Sequence, residues 1–209
     1  MFMNKMFLLP LSLSLMMACT SQKKENGQKA QSTTVAADSV MSKATFADTT
    51  LTYPGSKVTF HVSLDGKTLK IQPSGLTVRN ESVTHDITGY TVTKAEIGDL
   101  NNDSYPEVFI SLTSDGSGSY GQLIGYSVNN GKSMSQVALP DLKDTPELSK
   151  GYMGHDEMAI VESTFCRHFP IYKDGDTNGQ PTGGTRQIQY KLIDGEACRI
   201  LKVDKVTEF

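Results

Sequence analysis

Short runs that alternate apolar and polar residues, separated by tight turns, most limit what this chain can fold into. The run Lys57–Ser63 alternates in this way, and the dipeptide Asp65-Gly66 separates it from the next run, Lys67–Gln72. A second pair of runs flanks another Asp-Gly dipeptide: Arg186–Leu192 and Ala197–Val203. A period of two is typical of strands, and Asp-Gly favours a tight type I′ turn. These patterns predict antiparallel hairpins, the first of which shows one face to water.

Strand-like runs also occupy most of the remaining chain: Tyr90–Ile97, Glu107–Thr113, Gln122–Val128, Glu157–Cys166 and Arg167–Tyr172. The best helical candidate is short, because it extends only from Thr145, which can cap a helix, to Lys150. Many short strands with regular turn signals predict an all-β fold. We expect an antiparallel β-sandwich or barrel of about 8–11 strands with one short helix.

The N-terminus has the features of a bacterial lipoprotein signal peptide. Lys5 supplies a positive charge, and the apolar segment Phe7–Met17 is too short to span a bilayer. The segment Leu15–Cys19 places a small residue directly before a cysteine and resembles a lipobox. The resemblance implies removal of residues 1–18, lipidation of Cys19, and an outer-membrane lipoprotein of the bacterial envelope that faces the periplasm or the surface.

A polar segment separates this anchor from the folded part of the chain. Residues 20–34 contain no aromatic residue and show no periodicity, so residues 19–43 are predicted to be a lipidated cysteine followed by a flexible tether. Residues 44–209 then form one domain. The formal net charge is −3, or (20 − 1) − 23 = −4 without Lys5, and lysines are scattered. This pattern argues against nucleic acid as a partner.

Two cysteines, Cys166 and Cys198, lie inside strand-like runs of the predicted domain. In an envelope compartment they could pair and close a loop of about thirty residues, worth about 3 kcal/mol in the chain-entropy model. The alternative is two separate buried thiols, and the sequence does not decide between them.

Oxygen-bearing side chains recur at every second position in residues 99–107, which we call the acidic loop. Calcium favours such a set, here four side chains with the backbone carbonyl of Tyr105: Asp99, Asn101, Asp103 and Glu107. The loop is not an EF-hand, since Ile110 stands at the twelfth position and Ser104 replaces the turn glycine. It is closer to the DxDxDG loops of extracellular β proteins. The alternative is an Asx-rich turn without metal, and no other cofactor is indicated.

Residues 114–121, which we call the serine-glycine loop, connect two strand-like runs. Three glycines, three serines and an aspartate leave Tyr120 as the only large side chain. The composition fits a plain hairpin connection or a narrow probe that enters a cleft on another molecule. A phosphate cradle is disfavoured because a strand follows, and Ser117 lacks the strand-to-helix elbow of a nucleophile.

The histidines do not form a catalytic or metal-binding pattern. His61, His85 and His168 are scattered, and none shares a ligand spacing with the cysteines. The cluster His155–Glu157 beside Gly154 is interpreted as a hydrogen-bonded loop anchor. No acid/base pair is identifiable, so the sequence does not predict an enzyme.

Four motifs occur together in a recognisable order: Gly98–Glu107, Ser117–Gly121, Arg167–Tyr172 and Pro181–Arg186. In this order they resemble the bacterial periplasmic inhibitors of invertebrate-type lysozyme, over roughly residues 90–203. The resemblance implies an all-β protein whose Ser-Gly-x-x-Tyr loop plugs the substrate cleft of a lysozyme, with the invertebrate type favoured as partner.

By this resemblance, Ser117 and Tyr120 are the principal contacts, while Gly118 and Ser119 shape the loop. Asp115 is expected to point away from the acidic groups of the cleft. The alternative function is a calcium-dependent module on the cell surface that binds glycan or protein. The sequence does not decide which lysozyme is the target or which oligomeric state the protein has.

Overall fold

The structure is a computed structural model that describes residues 46–209. These residues form twelve strands: β1 (Thr49–Thr52), β2 (Thr59–Asp65), β3 (Thr68–Ser74), β4 (Val83–Asp86), β5 (Tyr90–Gly98), β6 (Glu107–Ser114), β7 (Gly121–Asn129), β8 (Ser133–Ala138), β9 (Glu157–Val161), β10 (Thr164–Pro170), β11 (Thr185–Asp194) and β12 (Arg199–Glu208). The predicted signal peptide, Cys19 and the tether to residue 43 lie outside the described residues.

The strands form two sheets, which confirms the predicted all-β fold. One sheet has four antiparallel strands in the order β1-β2-β3-β4. The other has eight strands in the order β5-β6-β7-β8-β12-β11-β10-β9, and all its neighbours are antiparallel except β8 and β12. The larger sheet curls until its first and last strands meet, where the Ile160 amide donates to Glu96 Oε2 over 3.3 Å. The strand count is one above the predicted range.

The predicted hairpins form because their turns and alternation agree. Strands β2 and β3 are joined by Gly66 and Lys67; only Gly66 has a positive φ, of 59°, so the turn matches type II′ and not the predicted type I′. Phe60 and Val62 are fully buried while His61 is exposed, so the pair shows one face to water. The second predicted hairpin is the β11–β12 pair, but β12 continues five residues beyond Val203, to Glu208.

Two apolar cores stabilise the domain. The first lies between the small sheet and one face of the large sheet, with Phe60 and Ile71 on one side and Ile110 on the other. The second fills the interior of the curled large sheet around Phe109, Phe165, Tyr190 and other residues. Strand β6 belongs to both cores, because alternate residues point to opposite faces. Residues 46–209 therefore contain both of their own cores, and we expect them to fold without the N-terminal segment.

The helix is as short as its sequence predicts. Helix α1 spans Pro146–Ser149, Thr145 precedes it, and Gly151 follows in the left-handed region with a φ of 74°. None of the helices within residues 46–209 has the length and hydrophobicity of a membrane span.

The predicted boundary between strands at Cys166 and Arg167 is wrong. The chain instead turns at Glu162 and Ser163, with Glu162 in the left-handed region at a φ of 55°, and β9 and β10 pair across this turn. Two adjacent polar residues can be exposed at a turn, whereas Cys166 and Arg167 are both buried in β10.

Within residues 46–209, Cys166 and Cys198 form no disulfide, and their positions exclude the pairing considered above. Cys166 lies opposite Gln189 of β11, whereas Cys198 follows Asp194 at the far end of that strand. Five extended residues span roughly 16 Å, while a disulfide needs Cα atoms within about 7 Å. The structure therefore favours two separate thiols.

Candidate functional site

The serine-glycine loop joins β6 to β7 and is closed by its own hydrogen bonds. The Ser114 amide donates to the Tyr120 carbonyl over 2.9 Å, and the Tyr120 amide donates to Ser114 Oγ over 2.8 Å. Inside this ring, the Ser119 amide donates to the Gly116 carbonyl over 3.0 Å. Ser119 has a φ of 45°, so the chain reverses there through the left-handed region.

A second segment, residues 152–156, holds one side of the serine-glycine loop. The His155 amide donates to the carbonyls of Gly118 and Ser119 over 2.9 and 3.1 Å. The Asp156 carboxylate accepts a bond of 2.6 Å from the Gly121 amide. Gly154 permits this approach, since a Cβ there would lie 1.9 Å from the Gly118 carbonyl oxygen. The segment that the sequence indicated as a loop anchor does anchor a loop, and the loop is this one.

A third segment contacts the tip of the serine-glycine loop through Asn178. The Asn178 side-chain amide donates to the Ser117 carbonyl over 2.8 Å, and its Oδ1 lies 3.1 Å from His155 Nε2. The Tyr172 hydroxyl donates to the Asn178 carbonyl over 2.8 Å and fixes this residue in turn. The tip is therefore connected to two segments that are distant in sequence.

Asp115 is bound within the protein. Its carboxylate lies 3.2 Å from Lys67 Nζ and accepts a 2.7 Å hydrogen bond from the Thr91 hydroxyl. Its amide donates to the Gly89 carbonyl over 2.8 Å. Lys67 belongs to the β2–β3 turn, so these contacts connect the loop to the small sheet. Asp115 thus has a cationic partner of its own, although both side chains remain partly exposed.

Beneath the loop lies a buried ion pair with an added tyrosine. Arg167 Nε donates to Asp156 Oδ1 over 2.6 Å, and the Tyr152 hydroxyl donates to Asp156 Oδ2 over 2.5 Å. The side chain of Asp156 is fully buried, and that of Arg167 is 6% exposed. Burial acts to lower the pKa of Arg167, but the charge of Asp156 and its hydrogen bond outweigh this and raise it. Burial and the bond to Asp156 raise the pKa of Tyr152. Both groups therefore hold their protons at neutral pH.

This pair is the part of the site that the sequence analysis missed. Arg167 belongs to a quoted motif, but no role was assigned to it. One signal was available, because Arg167 alternates with the buried residues Phe165 and Phe169 in β10. A charged residue at an inward position predicts a buried partner.

Two side chains of the loop, those of Ser117 and Tyr120, end in hydroxyls without a partner in the described residues. The hydroxyls of Ser117 and Tyr120 make no hydrogen bond to residues 46–209, and the Tyr120 side chain is 48% exposed. The Tyr120 ring packs edge-on against Tyr152 with centroids 5.7 Å apart. A Cβ on Gly118 would lie 2.5 Å from this ring, so Gly118 lets Tyr120 fold against the loop. A cavity of about 710 Å³ adjoins Tyr120 and Tyr152.

Backbone donors are free at the same place. The amides of Gly116, Ser117 and Gly118 have no hydrogen-bond partner within the described part of the chain. Gly116 and Ser117 are exposed, so three consecutive N–H groups lie beside two free hydroxyls. Such a group of donors can bind an anionic or hydroxyl-rich surface.

In the acidic loop, unlike the serine-glycine loop, the side chains bond to the backbone of the loop itself. Asp99 accepts bonds from the amides of Asp103 and Ser104 over 3.1 and 2.9 Å, and Asp103 accepts one of 2.8 Å from Tyr105. Asn101 donates to Asp103 over 2.9 Å. The side-chain oxygens thus hold the backbone of the loop in the manner of Asx turns.

A cation from the protein itself lies against the acidic loop. The Arg199 guanidinium is 2.7 Å from Asp103 Oδ2 and 3.6 Å from Glu107 Oε1, and it also contacts Ser127. Within residues 46–209, no group of three or more His, Cys, Asp or Glu side chains is arranged to hold a metal ion. The residues thus fit an arginine better than calcium as they stand, and calcium at this loop stays a prediction.

Glu107 is the buried member of this cluster. Its carboxylate accepts hydrogen bonds from the Leu100 amide over 2.8 Å and the Ser127 hydroxyl over 2.7 Å. Burial raises its pKa from about 4.5 to about 7, because the two hydrogen bonds and Arg199 only partly offset the loss of water. Glu107 therefore titrates near neutral pH.

Comparison with known proteins gave no match to this chain, whether with family models, curated proteins or solved structures. The resemblance to lysozyme inhibitors thus rests on the motifs quoted above.

Proposed function

We propose that this chain is a lipid-anchored protein inhibitor of lysozyme that inserts its serine-glycine loop into the active-site cleft of the enzyme. The observation that carries the proposal is the contrast within the loop. Its backbone is held by three other parts of the domain, whereas the hydroxyls of Ser117 and Tyr120 and three amides have no hydrogen-bond partner within residues 46–209.

The free donors suit the chemistry of a lysozyme cleft. Such a cleft holds two carboxyl groups that flank the glycosidic bond. The Ser117 hydroxyl and the amides of Gly116 and Gly118 can donate hydrogen bonds to them in place of sugar and water. Charge-assisted hydrogen bonds of this kind are stronger than neutral ones. Asp115 would oppose binding if it were free, but Lys67 compensates part of its charge.

Tyr120 suits the sugar-binding part of the same cleft. Its ring offers a flat apolar surface and its hydroxyl a polar tip, which match the two kinds of contact that a sugar makes. Because Tyr152 supports one edge of the ring, little side-chain freedom is lost on binding. The small residues on both sides keep the loop narrow enough to enter a groove.

Inhibition of purified lysozymes tests this function. Residues 44–209 should inhibit an invertebrate-type lysozyme at a near-stoichiometric ratio, measured by lysis of bacterial cell walls. Ser117→Ala and Tyr120→Ala should each weaken inhibition, whereas Val78→Ala, at an exposed site outside the loop, should not. Absence of inhibition against invertebrate, chicken and goose types would overturn the proposal.

Anchoring at Cys19 is a separate part of the proposal with its own test. In a bacterial host, the full chain should incorporate a fatty-acid label and fractionate with the outer membrane. Cys19→Ser should lose both properties while the domain stays folded. Labelling that persists in Cys19→Ser would contradict the anchor and leave the inhibitory function untouched.

The competing function, a calcium-dependent surface module, has less support. It requires an ion at the acidic loop, where Arg199 already compensates Asp103 and Glu107. We therefore favour the inhibitor, which acts by occupying a cleft and needs no catalytic group.

A further inference from the structure

The C-terminal strand β12 has an open edge. On one side it pairs with β11 from Arg199 to Glu208. On the other side it pairs with β8 only at Arg199 and Ile200. Within the described part of the chain, no strand covers this edge from Leu201 onward, and residues 202–209 are all exposed.

Such an edge can accept another strand. Its unpaired N–H and C=O groups form a template for a strand from another molecule. Two β-branched residues along it, Val203 and Val206, are 38% and 41% exposed, and the terminal Phe209 is 73% exposed. Apolar side chains of this kind favour strand pairing when they meet across the pair.

A β-bulge sets the faces of these side chains. Val203 lies opposite Tyr190 and Lys205 lies opposite Gln189, so Asp204 is an extra residue in β12. Four residues lie opposite the inward-facing side chains of β11 and share their face: Leu201, Val203, Val206 and Glu208. The opposite face carries Lys202, Asp204, Lys205 and Thr207. The pattern is symmetric about the Asp204–Lys205 peptide bond. Residues at equal distances from this bond on its two sides, such as Val203 and Val206, lie on the same face of the strand.

From this symmetry we infer that β12 pairs antiparallel with β12 of a second copy of this chain. Directly opposed residues in an antiparallel pair lie on the same face of the sheet. When the pairing is centred between Asp204 and Lys205, every opposed pair of residues meets this condition. It places Val203 against Val206 and Asp204 against Lys205 of the other copy, twice each. The interface is isologous, as two-fold symmetry requires, and joins two large sheets. It is independent of the proposed inhibitory function.

Charge selects this register over its neighbours. Shifting the centre onto Lys205 would place the two copies of Lys205 opposite each other and Val206 against Asp204. Asp204 also lies 2.8 Å from Lys191 of β11, so it would be flanked by two cations in the inferred dimer. Because only one strand from each copy takes part, the contact is small and the dimer is weak.

Sedimentation equilibrium of residues 44–209 tests the association. From about 5 µM to about 1 mM, the average mass should rise from monomer toward dimer. Val203→Lys should hold the protein monomeric, since it buries an unpaired charge, whereas Val161→Lys, at an exposed position of β9, should behave as wild type. Thermal unfolding verifies that both variants fold. A wild-type protein that stays monomeric throughout would overturn the inference.

Cross-linking tests the register. Val203→Cys and Val206→Cys are made separately in a protein with Cys166→Ser and Cys198→Ser, and then oxidised. Mixing the two variants should give a covalent dimer, because opposed residues bring their Cβ atoms within about 5 Å. Each variant alone should give at least tenfold less. Efficient cross-linking of Val203→Cys alone would overturn the register, even if a dimer forms.

Discussion

The loops at the two ends of strand β6 contain similar polar residues and use them in opposite ways. In the acidic loop, the carboxylates of Asp99 and Asp103 accept hydrogen bonds from backbone amides of the same loop. In the serine-glycine loop, distant residues such as Asp156 and Asn178 hold the backbone, and the Ser117 hydroxyl has no partner in the described part of the chain.

The difference teaches where a binding function can lie. A side chain that holds its own loop is not available to a partner, because releasing it leaves a backbone group unsatisfied. A loop whose backbone is hydrogen-bonded by distant residues can be ordered while its own surface side chains still lack hydrogen-bond partners. This combination favours tight binding, since the entropy of ordering is lost during folding and not during association.

The largest expected effect on stability comes from removing Asp156, which supports the serine-glycine loop from a distant segment. Asp156→Ala leaves Arg167 buried without its carboxylate and should lower the free energy of unfolding by about 3–5 kcal/mol. It also removes the acceptor of the Gly121 amide, so inhibition should weaken as well. Urea denaturation measures the stability. Glu81→Ala, which removes an exposed ion pair with Arg79, is the matched control and should change little. A loss below about 1 kcal/mol for Asp156→Ala would mean that the loop does not depend on this pair.

The acidic-loop cluster should respond to pH through Glu107. Its folded-state pKa of about 7 exceeds its ordinary value of about 4.5, so the folded state binds more protons between these values. The stabilisation is complete below pH 4.5 and is lost as the pH rises through 7, by about 3 kcal/mol in total. Glu107→Gln should remove this part of the pH dependence, measured by urea denaturation from pH 4.5 to 8. Equal slopes for the two proteins would show that Glu107 titrates normally.

Removing a side chain that holds the backbone of its own loop should have an intermediate effect on stability. Asp99→Ala leaves the amides of Asp103 and Ser104 without their acceptor and should cost about 1–3 kcal/mol. Asp99→Asn, which keeps an acceptor oxygen, should cost less. Calcium provides a second readout, since an ion bound at this loop would raise the Tm of the wild type by mass action. A Tm that is indifferent to both calcium and chelator would contradict the predicted site.

The smallest effect on stability should come from the serine-glycine loop itself. Ser117→Ala removes an exposed hydroxyl that has no partner in residues 46–209, so the Tm should stay within about 1 °C of wild type. Differential scanning calorimetry measures this. A clear drop in Tm would mean that Ser117 supports the fold, and the contrast between the two loops would then fail.

Much of the fold was predictable because its signals are local. The hairpin at Asp65-Gly66 and the alternation around Phe60 each depend on neighbours in sequence, and both predictions are confirmed, although the turn is not of type I′. The turn at Glu162 was missed because Glu and Ser are weak turn formers compared with Gly or Asn. The sequence allows either a sandwich or a barrel, and the strand order of the large sheet was not predictable, since it depends on contacts between distant segments.

The candidate site was only partly predictable for the same reason. The residues around His155 could be interpreted as an anchor, but the sequence did not show which loop they hold. Gly121 and Asp156 are 35 positions apart, and Ser117 and Asn178 are 61 apart. No periodicity or spacing rule reports contacts at such separations.

The dependence of the serine-glycine loop on distant segments has a consequence for peptide mimics. A synthetic peptide of residues 113–121 would carry Ser117 and Tyr120 but would lack Asp156 and Asn178, which hold its backbone, and Lys67, which pairs with the Asp115 side chain. Cyclising the peptide would restore only the closure between Ser114 and Tyr120. A miniature version of this surface therefore needs residues 152–156 as well, and is better built on a scaffold that presents both segments side by side.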